Sequence, residues 1–233
     1  MKKNTINEKE VFEINPDYEV LVKDFEGVKV VIVDNFYKNP MLVRQLAIDI
    51  PASSNQRIRG GNPAWRINAF YVLDDMSWIY DQLARTYFPK EMENFNQNYM
   101  QESFRNATFM VNVMQSENLP PVCPHMDNSS GFHLASTIFL NTPNECNGGT
   151  SFYTYDGKPY YDDPYSQKTL DTAGKFPVTE YITDSIGNFK MIGLVPMVFN
   201  RMVLYNQAHL HTAYVKPHMF VGDTYRLNQQ FFI

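Results

Sequence analysis

The pattern of apolar and polar residues changes its period near the middle of the chain. In the first part, residues 20–24 and 28–33 are apolar, β-branched runs separated by Glu26-Gly27. This pattern predicts a hairpin or two neighbouring strands. Residues 68–73 predict a further short strand.

Two segments of the first part have the three-and-four apolar spacing of a helix. One follows Asn39-Pro40, a good N-cap and first helical residue, and Pro51 ends it. The other follows Asp74-Asp75 and ends or kinks at Pro89. The polar, glycine-bearing residues 53–63 predict a loop between them.

Segments of strand character dominate the second part. They cover residues 107–115, 131–140, 150–155, 191–195, 197–205 and 225–233. Asn147-Gly148-Gly149 predicts a tight hairpin turn, since no Lys-Ser/Thr or helix follows to make a phosphate loop. The long polar and aromatic segment 156–189 predicts a lid-like insertion.

Many short strands at regular spacing predict a mainly β fold, a sandwich or barrel with flanking α-helices. The length of 233 residues suits a single domain spanning residues 1–233. We expect residues 1–104 to supply supporting strands and helices. We expect residues 105–233 to form the core that carries the insertion.

Composition excludes several functional classes. A hydrophobic share of 44% and an aromatic share of 15% exclude a disordered chain. The net charge of -5, without a basic run, argues against nucleic acid as a partner. Two cysteines make no disulfide framework, and no apolar run reaches the roughly 18–20 residues of a membrane span. The polar first ten residues lack the features of a signal peptide, so we expect a soluble, cytoplasmic protein.

A candidate metal site begins at His125 and Asp127. Side chains two apart on a strand point the same way, so both can reach one ion. A third ligand from a distant strand would complete the two-histidine, one-carboxylate set that binds non-haem Fe(II). His209 and His211 both qualify, because the period of two places them on one strand face.

Two other functions are compatible with these residues. The same three ligands could hold zinc and activate water in a hydrolase. Alternatively, the chain could be a non-catalytic jelly-roll binding module in which His125 and Asp127 are merely hydrogen-bonded. Ordinary cupins fit less well, because their paired histidines precede the single distal histidine. We expect His133 and His218 to be packing or surface residues, and Cys123 to be a small buried residue rather than a ligand.

The order of motifs resembles the core of the Fe(II)/2-oxoglutarate-dependent dioxygenases, in the branch like prolyl hydroxylases. His125-x-Asp127 is followed by Thr-Ile-Phe-Leu-Asn at residues 137–141 and by Gly-Gly-Thr-Ser-Phe at residues 148–152. That branch typically has a His-x-Asp, a strand ending in Leu-Asn, and a Gly-Gly-x-x-Phe hairpin.

The remaining motifs extend this resemblance. Residues 200–205 followed by residues 210–213 look like the distal-histidine strand, and residues 226–232 look like the closing strand. Val-Asp-Asn-Phe at residues 33–36, with Asn-Pro at residues 39–40, resembles a little-characterised bacterial group of the same superfamily.

The resemblance implies a double-stranded β-helix, a cupin-like jelly roll, with His125, Asp127 and His211 as the iron ligands. Arg226 would hold the far carboxylate of 2-oxoglutarate, although residues 217–223 lengthen the usual spacing from His211 to this arginine. The implied activity uses Fe(II), 2-oxoglutarate and O2 to hydroxylate an unactivated C–H, releasing succinate and CO2. The carboxylate at Asp127 favours hydroxylation over halogenation, and we expect a small amino-acid-like or peptidyl substrate.

Overall fold

Eleven strands and three helices lie in the part of the chain that the computed structural model describes. That part covers residues 7–49, 55–57, 65–70, 74–93, 108–114, 116, 119, 121–127, 133–160 and 181–232. The helices are α1 (Glu8–Val11), α2 (Pro40–Asp49) and α3 (Asp74–Tyr87). The strands are β1 (Glu19–Phe25), β2 (Val28–Asp34), β3 (Asn55–Arg57), β4 (Trp65–Phe70), β5 (Thr108–Met114), β6 (Leu134–Phe139), β7 (Gly149–Tyr155), β8 (Phe189–Pro196), β9 (Met202–Asn206), β10 (His211–Tyr214) and β11 (Arg226–Phe232).

The described strands form two antiparallel sheets. The large sheet has the order β1-β2-β9-β6-β11-β5-β4-β3, and the small sheet has the order β10-β7-β8. The protein is mostly β with few helices, which confirms this part of the sequence prediction. Neighbours in the large sheet are often far apart in sequence, so its pairing brings distant motifs together.

The large sheet is covered on both faces. On β2, Val31 and Val33 pack in the core that includes α2 and α3. The alternate residues Val30 and Ile32 pack in a second core shared with the small sheet. Since strand side chains alternate between faces, the helices cover one face and the small sheet covers the other.

Most elements of the first part are those that the sequence predicts. The predicted hairpin is confirmed as β1 and β2, and Glu26 and Gly27 take φ angles of 52° and 90° in the turn. Positive φ at both central residues is the mark of a type I′ turn. The two predicted helices are confirmed as α2 and α3. The loop predicted over residues 53–63 is wrong at β3, which pairs with β4 at the edge of the large sheet.

One strand of the second part starts later than predicted. We expected residues 197–205 to form one strand, but β9 begins at Met202. Asn200 instead takes a φ of 63°, and its side-chain amide bonds the backbone of Tyr37 in both directions, at 2.8 Å each. The other strands predicted after residue 105 are confirmed within a few residues as β5, β6, β7, β8 and β11.

The hairpin predicted at Asn147-Gly148-Gly149 is wrong, because β6 and β7 lie in different sheets. Instead, the two glycines allow their backbone to approach those of Tyr214 and Val195 closely. A Cβ on Gly148 would lie 2.0 Å from the carbonyl oxygen of Tyr214, and one on Gly149 would lie 2.1 Å from that of Val195. Any side chain at either position would therefore push the small-sheet strands apart.

Most of the predicted lid-like insertion, residues 161–180, lies outside the described residues. None of the helices described above is long and apolar enough to cross a membrane.

Candidate metal centre

The segment that carries His125 runs antiparallel to β10. The N–H of His125 donates to the carbonyl of His211, and the N–H of His211 donates to the carbonyl of His125, both at 2.9 Å. The N–H of Asp127 donates to the carbonyl of Gln207 at 2.9 Å. Backbone pairing therefore fixes the two halves of the site against each other, although about 85 residues separate them.

Three potential ligand side chains converge at this pairing. Nε2 of His211 lies 3.1 Å from Oδ2 of Asp127, and Nε2 of His125 lies 3.8 Å from Oδ1 of Asp127. All three ligand atoms lie within 4.8 Å of one another. Metal–ligand bonds of about 2.1 Å at right angles place two ligand atoms about 3.0 Å apart, so one ion fits among them after small adjustments.

The ring of His211 is oriented by its surroundings. Its Nδ1 lies 2.9 Å from the carbonyl of His209, and because a carbonyl only accepts, Nδ1 must carry the proton. The edge of the buried Tyr205 ring packs against the imidazole, with centroids 4.7 Å apart. Nε2 is thereby left to face Asp127, in the arrangement in which proteins usually present a histidine to a metal.

The two imidazoles have different proton affinities. Burial and the neighbouring His211 ring lower the pKa of His125, which outweighs the opposing charge of Asp127. Burial also lowers the pKa of His211, but the charge and hydrogen bond of Asp127 outweigh it and leave this pKa above its ordinary value. A metal ion at this site would compete with a proton for Nε2 of His211.

His209, which the sequence left as an alternative ligand, is not part of this cluster. β10 begins at His211, and the N–H of His209 donates to the carbonyl of Asn206 in the preceding turn. The period-two argument fails here because His209 lies outside the strand. Burial lowers the pKa of His209, and Glu91 raises it, so its ring lies within electrostatic reach of that carboxylate.

The remaining histidines and Cys123 lie outside the metal cluster in the part of the chain described. His133 and His218 are exposed, and Cys123 is partly buried.

Arg226 is a buried cation, 5% exposed, that has no carboxylate partner among the described residues. It donates through one terminal nitrogen to Oδ1 of Asn228 and through the other to the carbonyl of Gly149 at 3.4 Å. Its Nε–H has no acceptor within the described ranges. Burial lowers the pKa of Arg226 to about 10, so the guanidinium still carries its charge at neutral pH. A buried cation in this state is a ready site for an anion.

Tyr205 contacts His211 and lies within electrostatic reach of both Asp127 and Arg226. Burial raises its pKa well above the ordinary value, Asp127 raises it further, and Arg226 lowers it. Both charges therefore act on one phenol. Gly149, which accepts from Arg226, pairs with Tyr214 at the far end of β10 from His211. Three strand residues span about 10 Å, so the backbone of Tyr214, opposite Gly149, lies roughly that far along β10 from the backbone of His211.

Tyr181 also lies beside the buried arginine. Its hydroxyl donates to the carbonyl of Ala213 at 2.9 Å, and the charge of Arg226 lowers its pKa against the rise that burial causes. Sequence reasoning missed both Tyr181 and Tyr205 as parts of the site. Tyr205 could have been found, since it lies in the strand that precedes His211 in the sequence, whereas nothing in the sequence marks Tyr181.

The long spacing between His211 and Arg226 is absorbed by an anchored turn. The N–H of Ser116 donates to the carbonyl of Phe220 at 2.9 Å, and the N–H of Phe220 donates to Oγ of Ser116 at 2.9 Å. Phe220 is fully buried between the sheets. The extra residues therefore form a fixed connection, and β11 still delivers Arg226 to the space between the sheets.

The fold and the cluster define a mostly β protein with a candidate site of two histidines and one carboxylate. The chain belongs to a family of unknown function, DUF6445, which matches residues 15–226. No curated protein matches the chain.

Two solved structures show a distant likeness. The epimerase SnoN, in complex with Fe3+, alpha ketoglutarate and nogalamycin RO, is 14% identical, with a TM-score of 0.41, over 86% of this chain and 77% of that chain. EvdMO1 is 13% identical, with a TM-score of 0.38, over 93% of this chain and 55% of that chain.

Proposed function

We propose that the protein is an Fe(II)- and 2-oxoglutarate-dependent dioxygenase that hydroxylates an unactivated C–H of a small amino-acid-like or peptidyl substrate. In this proposal His125, Asp127 and His211 hold the iron, and the two sheets form a double-stranded β-helix around it. Arg226 binds the cosubstrate.

The observation that carries the proposal is that this cluster and the buried Arg226 occur in the same region of the protein. A triad of two histidines and one carboxylate leaves open coordination positions, as Fe(II) oxygenases require. The guanidinium contacts Gly149, whose partner Tyr214 lies about 10 Å along β10 from His211, and this spacing suits a ligand with a carboxylate at each end. A five-carbon keto diacid has that shape, and its far carboxylate would pair with a cation that has no anion among the described residues. A zinc hydrolase with the same ligands gives no reason for such a buried arginine here.

When bound, Fe(II) with 2-oxoglutarate and O2 supplies the oxidative chemistry, in which the cosubstrate becomes succinate and CO2 and the substrate gains a hydroxyl group. The residues of the chain hold the ligand side chains in place. The carbonyl of His209 fixes the ring of His211, and the backbone of Gln207 fixes Asp127. The ring of Tyr205 packs against both His211 and Phe152, which supports the orientation of the imidazole.

The test is succinate release. Metal-free protein is incubated with Fe(II), 2-oxoglutarate and O2, with a panel of amino acids and short peptides, and succinate is measured for each. We expect slow release without substrate and faster release with the correct class. Replacement of Fe(II) by Zn(II) and the Asp127→Ala variant are the controls, and both should release none. Hydrolysis of a panel member with zinc, without succinate under iron, would instead identify a hydrolase.

A further inference from the structure

The strand β1 forms an open edge of the large sheet. It pairs with β2 on one side, and among the described strands it has no neighbour on the other. Leu21 is 50% exposed and Val22 is 43% exposed, so none of the described segments covers this edge. Exposed edge strands with apolar side chains are templates for pairing with another strand. We propose that β1 pairs antiparallel with β1 of a second copy of this chain, joining two large sheets across a two-fold axis.

The hairpin geometry decides which backbone groups are available. In a two-residue type I′ hairpin, the residues that flank the turn form a hydrogen-bonded pair. Those residues are Phe25 and Val28 here. Every second residue of β1 from Phe25 backwards therefore bonds β2. The N–H and C=O groups of Val20, Val22 and Asp24 point outwards, towards the open edge.

This alternation restricts the register of a symmetric pair. Val20, Val22 and Asp24 must face one another, so the residue numbers of each cross-strand pair add up to an even number. When Val22 faces itself, Val20 lies opposite Asp24 and Leu21 lies opposite Lys23, which puts charges against apolar side chains. When Val20 faces itself, Glu19 lies opposite Leu21.

The register in which Leu21 faces itself is complementary throughout. Val20 then bonds Val22 of the second copy, and Val22 bonds Val20, which gives four backbone hydrogen bonds. Glu19 lies opposite Lys23 of the second copy, and the pair occurs twice because of the two-fold axis. Cross-strand pairs of opposite charge and of β-branched residues are the ones that stabilise sheets. This self-complementarity points to a second copy as the occupant of the edge.

Sedimentation equilibrium of the full chain over a range of concentrations tests the pairing. The wild type should show a reversible monomer–dimer equilibrium. Glu19→Lys places two lysines opposite each other at both ends of the interface, and Lys23→Glu places two glutamates there. We expect each variant alone to raise the dimer dissociation constant roughly tenfold or more.

An equimolar mixture of the two variants gives the sharpest readout. In the mixed pair both ends regain opposite charges, so a heterodimer should form where neither variant dimerises alone. The double variant Glu19→Lys/Lys23→Glu should dimerise like the wild type. It also keeps the test decisive if one single variant fails to fold, which circular dichroism would show.

The proposal is overturned if the wild type sediments as a monomer at every concentration. It is equally overturned if the single variants dimerise as well as the wild type, because the interface would then lie elsewhere. Failure of the mixture to dimerise would exclude the register. None of these outcomes depends on metal binding or catalysis.

Discussion

The side-chain amide of Asn141 holds the backbone on both sides of Arg226. Its Oδ1 accepts from the N–H of Leu227 at 2.7 Å, and its Nδ2 donates to the carbonyl of Tyr225 at 2.6 Å. Asn141 follows the end of β6 and is 1% exposed. This buried amide therefore fixes the start of β11, and with it the position of the guanidinium.

Replacement of Asn141 by alanine should weaken cosubstrate binding more than it weakens the metal site. Both hydrogen bonds are lost, at a cost of about 1 kcal/mol each in the free energy of unfolding. The first residue of β11 is then free to shift, and we expect the Kd of 2-oxoglutarate to rise roughly tenfold. Calorimetric titration of the Mn(II)-loaded protein measures this Kd, and the Mn(II) affinity should stay within about threefold of wild type.

Asn200 supplies a matched control for this variant. Its amide makes the same two kinds of backbone hydrogen bond, to the N–H and carbonyl of Tyr37, and it is 5% exposed. Asn200→Ala should lose at least as much stability, because its alanine must also take a φ of 63°, without changing the Kd of 2-oxoglutarate. Equal Kd values for the two variants would show that Asn141 has a structural role only.

Arg226→Met should stabilise the protein and abolish the binding of 2-oxoglutarate. The methionine removes a buried charge that has no carboxylate partner among the described residues, and the desolvation of such a charge costs on the order of several kcal/mol. We therefore expect a higher Tm without ligand, measured by calorimetry. At the same time, 2-oxoglutarate should no longer raise the Tm as it does for wild type. A large loss of stability would mean that Arg226 has a structural role and that its hydrogen bonds to Asn228 and Gly149 already compensate for the burial of its charge.

The two histidines near β10 should differ sharply in their effect on metal binding. His211→Ala removes a ligand, and we expect the Fe(II) affinity to fall at least about 100-fold. His209→Ala keeps the backbone carbonyl that orients the ring of His211, so the affinity should change less than about threefold. Competition with a chromophoric chelator under anaerobic conditions measures both. Comparable losses in the two variants would contradict the assignment of His211.

Gly148→Ala should be far more destabilising than its sequence suggests. The φ of Gly148 is 68°, and the new Cβ would lie 2.0 Å from the carbonyl oxygen of Tyr214. We expect a loss of about 3 kcal/mol or more in the free energy of unfolding. Gly157 is the control, because its φ is 80° and a Cβ there would meet open space. Its alanine variant should lose only about 1 kcal/mol, the cost of the backbone conformation. Urea denaturation of both variants measures the difference.

The sequence predicted the parts of the site that depend on local periodicity. His125 and Asp127 share a side because they are two residues apart, and the sequence of residues 225–233 predicts the strand that carries Arg226. The choice between His209 and His211 depended on where β10 begins, which the period alone does not define. The contacts of Asn141, Tyr181 and Tyr205 depend on sheet pairing between distant segments.

The same limit explains the errors in the fold. Asn147-Gly148-Gly149 has the composition of a hairpin turn, and local chemistry cannot show that β6 and β7 enter different sheets. Asn200 interrupts an apolar run because its amide has a partner more than 160 residues away, in Tyr37. Both features are set by long-range backbone contacts that leave no periodic signal.

Anaerobic addition of Fe(II) and 2-oxoglutarate to the metal-free protein is the decisive measurement for the iron assignment. If His125, Asp127 and His211 hold iron beside a cosubstrate fixed by Arg226, a broad visible metal-to-ligand charge-transfer band should appear. The same band should be absent from Asp127→Ala. A wild-type spectrum without this band, in a protein shown to be folded, would rule out the proposed iron centre.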